Sequence, residues 1–202
     1  MATWIRKSFD SPGITQVPAG PYLRQLQGRH GGAAMLMIDV SGSMNGLPIL
    51  EAAAGARQFV REAVEARYHV GVMLWNTTVV AQALPSLDGK AALDLLAKVT
   101  SAAGGNALDG PLYECHSVLN GFAGDRVVAL FGDGDLTPKP QVLMKVAEMK
   151  ADNIRFVTRG LGAFAAQEFA EITDEDTGTV KVESVAELAT GIASMAASLK
   201  RP

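Results

Sequence analysis

The stretch "MLMIDVSGSM", residues 35–44, runs four apolar residues into an acid and two hydroxyls at alternate positions, Asp39, Ser41 and Ser43. A short apolar run bounded by turn residues reads as a buried strand. If the chain stays extended just beyond that strand, side chains two apart point the same way, and the three oxygens converge on one point. Gly42 lets the backbone bend closely between them. The competing reading is a polar helix start ahead of Pro48, because Ser and Asn cap helices and Pro suits a first turn.

Outward from this stretch the pattern alternates. "AAMLMIDV" (33–40) is followed by "PILEAAAGARQFVREAVEAR" (48–67), in which Ile49, Ala53, Ala56, Phe59, Val60, Ala63 and Val64 share one helical face, and then by "YHVGVMLW" (68–75). This is a β-α-β unit with parallel strands. "NTTVVAQALPSL" follows too closely for a crossover, so Asn76 and Thr77 turn the chain into an antiparallel edge strand. Helices are predicted at 89–99, 108–120, 139–150, 164–171 and 184–199, with strands from 126 and at 154–160. The expected fold class is α/β: a doubly wound, mostly parallel sheet with one antiparallel edge strand and helices on both faces.

Two organisational units are expected, an N-terminal extension over 1–32 packed on the domain and the domain itself over 33–202. The extension holds three of the nine prolines and, apart from "PYLRQLQG", no sustained periodicity. A chain of 202 residues with 48% hydrophobic and 19% charged residues suits one core. A net charge of −3 argues against a general electrostatic hold on nucleic acid or an anionic membrane. Without an apolar leader or a spanning run of about 20 residues, a soluble cytoplasmic protein of bacterial type is expected. The single cysteine, Cys115, reads as core packing. His30, His69 and His116 are scattered and read as structural.

In such sheets ligands bind beyond the carboxyl ends of the strands. "MLMID" ends in Asp39 and "VVALFGD" in Asp133, both at that edge, and "TSAAGGNALDG" (100–110) offers Asn106 and Asp109 to it. Asp39, at its strand end, is expected near solvent. Oxygen donors from three loops, without clustered His or Cys, suit a hard cation such as Mg²⁺, with Mn²⁺ or Ca²⁺ as alternatives. Neutral hydroxyls leave such an ion short of negative charge and ready for an incoming carboxylate.

"DVSGSM" resembles the metal-ion-dependent adhesion site (MIDAS) of von Willebrand factor type A (VWA) domains, "LFGDG" (130–134) is similar to their later Asp-Gly loop, and "GGNALDG" takes the place of their Gly-Gly-Thr loop. The resemblance covers about 33–199. It implies a VWA fold and metal ligands Asp39, Ser41, Ser43 and Asp133, with Asn106 where a threonine is usual and Gly132 where a threonine is common. It also implies a non-catalytic module whose cation is completed by a partner's Glu or Asp, and in bacterial cytosolic members work beside ATPases or multi-protein systems. Asn106 with Asp109 also reads as a capping-box start. Asp135 reads as a turn former, and "EFAEITDEDTG" (168–178) as a solvated helix end. Two rivals remain. One is a haloacid dehalogenase-like phosphohydrolase, which needs a second acid where Ser41 sits and a serine cannot shuttle protons near neutral pH. The other is a VWA scaffold that has lost its metal.

Overall fold

The computed structural model describes residues 32–134, 136–176 and 180–199. The expected extension over 1–32 and its short helix therefore fall outside the described residues, save Gly32, as does Asp135. The elements run β1 (Ala33–Asp39), α1 (Leu47–Glu65), β2 (His69–Trp75), β3 (Val79–Ser86), α2 (Lys90–Leu96), α3 (Asp109–Leu119), β4 (Arg126–Gly132), α4 (Lys139–Ala151), β5 (Ile154–Leu161), α5 (Gly162–Ala170), β6 (Lys181–Val182) and α6 (Leu188–Ser194). They build a six-stranded sheet in the order β3-β2-β1-β4-β5-β6, parallel throughout except where β3 pairs antiparallel with β2. This is the doubly wound α/β class with one antiparallel edge.

Every residue of β1 is buried because the strand lies mid-sheet between β2 and β4. Its side chains alternate between two cores. Ala34, Leu36 and Ile38 join Phe59, Val60 and Ile192 on one face, while Ala33, Met35 and Met37 join Leu112, Cys115 and Met149 on the other. Cys115 is fully buried, and burial pushes its thiol far above the ordinary range, as its packing role requires. Two features were not expected. β6 is only two residues long, and the predicted helix over 184–199 is split into a 3-10 turn, α6 and a second 3-10 turn.

Where the parallel strands begin, Asp125 accepts two hydrogen bonds from Arg155, at 2.8 and 2.6 Å, and one from the Tyr68 hydroxyl at 2.5 Å. His116, buried as expected for a structural histidine, meets Asp152 at 2.8 Å. These polar ties fix one end of the sheet. The other end, where β1 and β4 finish in Asp39 and Gly132, is built from loops.

Candidate metal centre

Three loops meet at that end, and backbone hydrogen bonds join them. Gly42 donates to the Gly104 carbonyl at 3.0 Å and Ala103 to that of Val40 at 2.9 Å, binding the loop after β1 to the loop before α3. Leu108 donates to the Thr137 carbonyl at 2.7 Å, which brings in the loop after β4. Asn76, at the β2–β3 turn, reinforces the junction: its Nδ2 donates to the Ala103 carbonyl at 2.8 Å, and its Oδ1 accepts from the Thr77 N–H at 2.6 Å. Gly104 has φ +95 and lies so close to Asn76 that a Cβ there would stand 2.7 Å from Asn76 Nδ2. Only glycine fits that turn without strain.

Within this frame the predicted oxygens converge. The Ser41 N–H donates to Asp39 Oδ1 at 2.7 Å, the Ser41 and Ser43 hydroxyls lie 3.1 Å apart, and the Ser43 hydroxyl donates to Asp133 Oδ1 at 2.9 Å. Asn106 comes up to the residue after Asp133 from the second loop. Its Nδ2 lies where a Cβ on Gly134 would be only 2.1 Å away, so the amide is seated against the Asp133–Gly134 turn. Asp109 is instead the first residue of α3, where its charge favours the positive helix end.

Neither capping alternative matches this geometry. Helix α1 begins at Leu47 with Gly46 as its N-cap, and α3 has Leu108 as its N-cap, both without a side-chain cap hydrogen bond. The side chains of Asp39, Ser41, Ser43 and Asn106 therefore cap neither α1 nor α3. Ser43 lies within a 3-10 turn, Gly42–Met44, that presents its hydroxyl to Asp133.

Two expectations are corrected. The chain beyond β1 does not stay extended: it folds into the 3-10 turn Gly42–Met44, and that turn brings the Ser43 hydroxyl to Asp133. Asp39 is not near solvent: it is 0% exposed, because β1 is central and its last residue is covered by the neighbouring loops. Its Oδ2 is buried without a hydrogen-bond partner, and a Cβ on Gly132 would approach that oxygen to 3.2 Å. Gly132, standing where a threonine was the family expectation, thus leaves room beside the acid. Burial raises the Asp39 pKa to about 6, Ser41's backbone and side-chain hydrogen bonds oppose the rise, and the nearby Asp133 charge adds to it. A buried carboxylate oxygen without a proton donor is costly unless a cation meets it.

The donor set fits a hard divalent cation: two carboxylates, two hydroxyls and an amide, all oxygen-bearing. Among the described residues no three His, Cys, Asp or Glu side chains cluster as a metal site, so a cation here would depend on these neutral groups. Trp75, the register partner of Asp39 on β2, also has its indole Nε1 buried without a partner. The sequence reading missed Trp75 and the loop-pinning role of Asn76. The available signal was position alone, since both sit where β2 ends at the same sheet edge.

The chain matches no family model, and no curated protein sequence matches it. Solved structures share its fold. The vWF domain of the type V pili tip protein Mfa5 from Porphyromonas gingivalis aligns with a TM-score of 0.72 at 11% identity, over 86% of this chain and 98% of that one. The pilus adhesin SpaC from Lactobacillus rhamnosus GG gives 0.67 at 12% identity, covering 83% of this chain and 30% of the adhesin. Proximal thread matrix protein 1 from the mussel byssus, solved with a zinc-occupied MIDAS motif, gives 0.63 at 17% identity, covering 83% and 48%. The chain thus spans less than half of the adhesin and of the mussel protein. At these identities the likeness establishes the fold, which is that of VWA domains.

Proposed function

We propose that this VWA-fold chain is a non-catalytic, metal-dependent protein-binding module. Asp39, Ser41, Ser43, Asn106 and Asp133 would hold Mg²⁺, with Mn²⁺ or Ca²⁺ as alternatives. The bound cation would supply an electrophilic position for a Glu or Asp carboxylate of a partner protein. The observation that carries this reading is the buried, unpartnered Oδ2 of Asp39 beside the Ser41–Ser43–Asp133 chain of hydrogen bonds. Asp39 Oδ1 is held by the Ser41 N–H, which fixes the carboxylate's orientation. Gly132 keeps space open at the other oxygen. The resemblance of "DVSGSM" to the MIDAS loop supports the same assignment and carries the proposed bacterial, cytoplasmic setting beside an ATPase or multi-protein system. The phosphohydrolase reading gains nothing from the geometry, because Ser41 spends its backbone and hydroxyl on orienting Asp39 and Ser43 and supplies no acid.

The test is thermal unfolding with and without metal. An ion that binds only the folded chain stabilises it by about 2.7 kcal/mol at a hundredfold excess over its dissociation constant. Mg²⁺, Mn²⁺ or Ca²⁺ is expected to raise the melting temperature, EDTA to reverse the rise, and Asp39→Asn to abolish it. Silence towards all three ions would leave a metal-free scaffold as the better account. Turnover of a phosphomonoester that Asp39→Asn removes would favour the enzyme.

A further inference from the structure

Strand β3 begins at the end of the sheet where Asp39 sits: Val79 pairs with Trp75, the register partner of Asp39. Between the start of β3 and the end of α2 lies a cavity of about 250 Å³, floored by Val40, Leu74, Val80, Ala81, Leu95 and Val99. Val40 is the residue after Asp39, and its carbonyl accepts from Ala103 at 2.9 Å. Leu74 precedes Trp75, and Val99 leads into the loop that carries Asn106. The cavity and the candidate metal centre therefore share the strand ends and the loop that divides them.

The rim of the cavity is polar. Lys98, Thr100 and Ser101 stand there, all exposed. Lys98 is unlike the other lysines of the fold. Lys90, Lys139, Lys145, Lys150 and Lys181 each meet a carboxylate, and Lys98 is the one lysine among the described residues without such a partner.

We propose that this cavity is a second contact for the acidic partner, taking an aliphatic side chain of the same segment while Lys98 pairs with a further carboxylate beside it. The size excludes a larger occupant, since small-molecule sites span roughly 300–1,000 Å³ and this one suits a single aliphatic side chain. Charge selects the segment: an acidic one satisfies a cation at Asp39 and Lys98 alike, and a neutral or basic one leaves Lys98 unpaired. Reach sets the spacing. Asp39 and Val40 are neighbours, and an extended chain advances about 3.3 Å per residue, so the aliphatic residue falls two or three positions from the metal-bound acid. That spacing rests on the metal-site reading above, whereas the preference of the cavity for an aliphatic group carrying a carboxylate does not.

The cavity is tested without metal. Isocaproate, a leucine-like side chain ending in a carboxylate, is titrated into the full chain in EDTA and followed by methyl NMR. Resonances of Val40, Leu74, Val80, Leu95 and Val99 should shift along one saturating curve while those of Leu188 and Ile192 stay. Lys98→Glu, at an exposed position that leaves folding intact, should weaken isocaproate several-fold and leave its uncharged primary amide unaffected. Ala81→Phe, which fills the cavity, should remove the response to both. Shifts that do not saturate, that fall elsewhere, or that are unchanged in Lys98→Glu overturn the proposal. The link to the centre has its own readout. A heptapeptide library with one fixed Asp, selected on the Mg²⁺-loaded chain, should enrich Leu, Ile or Val two or three positions from that Asp, and Ala81→Phe should erase this preference alone. Recovery that needs Mg²⁺ but shows no aliphatic preference overturns the second contact. Recovery that ignores Mg²⁺ overturns the metal-site reading and the spacing with it, and the isocaproate result then decides the cavity by itself.

Discussion

At the scale of single residues, the centre turns on one carboxylate placed where it harms the metal-free fold. Asp39 is fully buried, and its pKa is raised to about 6 by that burial. An acid with a raised folded-state pKa favours folding when protonated, so its contribution is present below the unfolded value near 4 and is lost as the pH rises through 6. The ionised form costs about 3 kcal/mol by this linkage, since each pKa unit is worth about 1.4 kcal/mol. EDTA-treated protein is therefore expected to be more stable at pH 5 than at pH 7. Asp39→Asn should flatten that dependence and raise the metal-free melting temperature at pH 7, while removing the response to Mg²⁺. Equal melting curves for variant and wild type in EDTA at pH 7 would show that the buried charge is compensated in another way. Trp75 supplies an optical reporter beside the same site. The chain has two tryptophans, Trp4 and Trp75, so a Trp4→Phe variant leaves Trp75 alone. Its emission should change on titration with Mg²⁺ and not in the Asp39→Asn background. The residues Asp39, Ser41 and Ser43 were legible from the Asp-x-Ser-x-Ser pattern, but the backbone that gathers them was not: a 3-10 turn over Gly42–Met44, not an extended run, carries the Ser43 hydroxyl to Asp133. Nor was the burial of Asp39, because it depends on β1 lying mid-sheet and on residues remote in sequence, Gly132 and Phe169, at whose contact the space around the acid is set.

At the scale of elements, loops held by strand ends decide the geometry, and one side chain that is not a proposed ligand holds two of them. Asn76 joins the β2–β3 turn to the second loop through its bond to Ala103, which in turn donates to Val40, the residue after Asp39. Asn76→Ala removes a bond of about 1 kcal/mol net and releases Thr77 and Thr78 from the amide oxygen. A modest fall in stability is expected, together with a several-fold fall in Mg²⁺ affinity although every proposed ligand is intact. An unchanged affinity by isothermal titration would mean that the loop's own turns position Asn106. The order and direction of the main elements were readable from periodicity, since β1, α1 and β2 each carry a full period or more of apolar pattern. β6 was not readable, because two residues, Lys181 and Val182, cannot express an alternation. The broken last helix was not readable either. Its apolar residues Leu188, Ile192 and Met195 keep helical spacing through α6 and into the turn that follows, so the pattern persists where the hydrogen bonding changes.

At the scale of the whole molecule, the sheet is polar in construction: its two ends have different sources of order. Where the parallel strands start, Arg155, Asp125 and Tyr68 are joined by charge-assisted bonds, and Arg126 donates to Asn120 at 3.0 Å. Where they finish, order depends on backbone links among three loops and on oxygens gathered about Asp39. A cation at the candidate centre would bind groups from all three loops, and would have little to add where strands begin. Amide hydrogen exchange separates the two ends because local openings are measured segment by segment. Adding Mg²⁺ should slow exchange in 40–46, 100–108 and 133–138, while the segment from 120 to 128 and the start of β5 keep their rates. Protection spread evenly over the chain would instead mean that the ion acts only through global stability, as it must if exchange requires complete unfolding. Protection confined to 40–46 would remove Asn106 and Asp133 from the ligand set and leave a site built by one loop. The expected pattern, three separated segments slowed together, is the signature of a centre that draws its ligands from distant parts of the sequence, which is the arrangement the sheet order β2-β1-β4 makes possible.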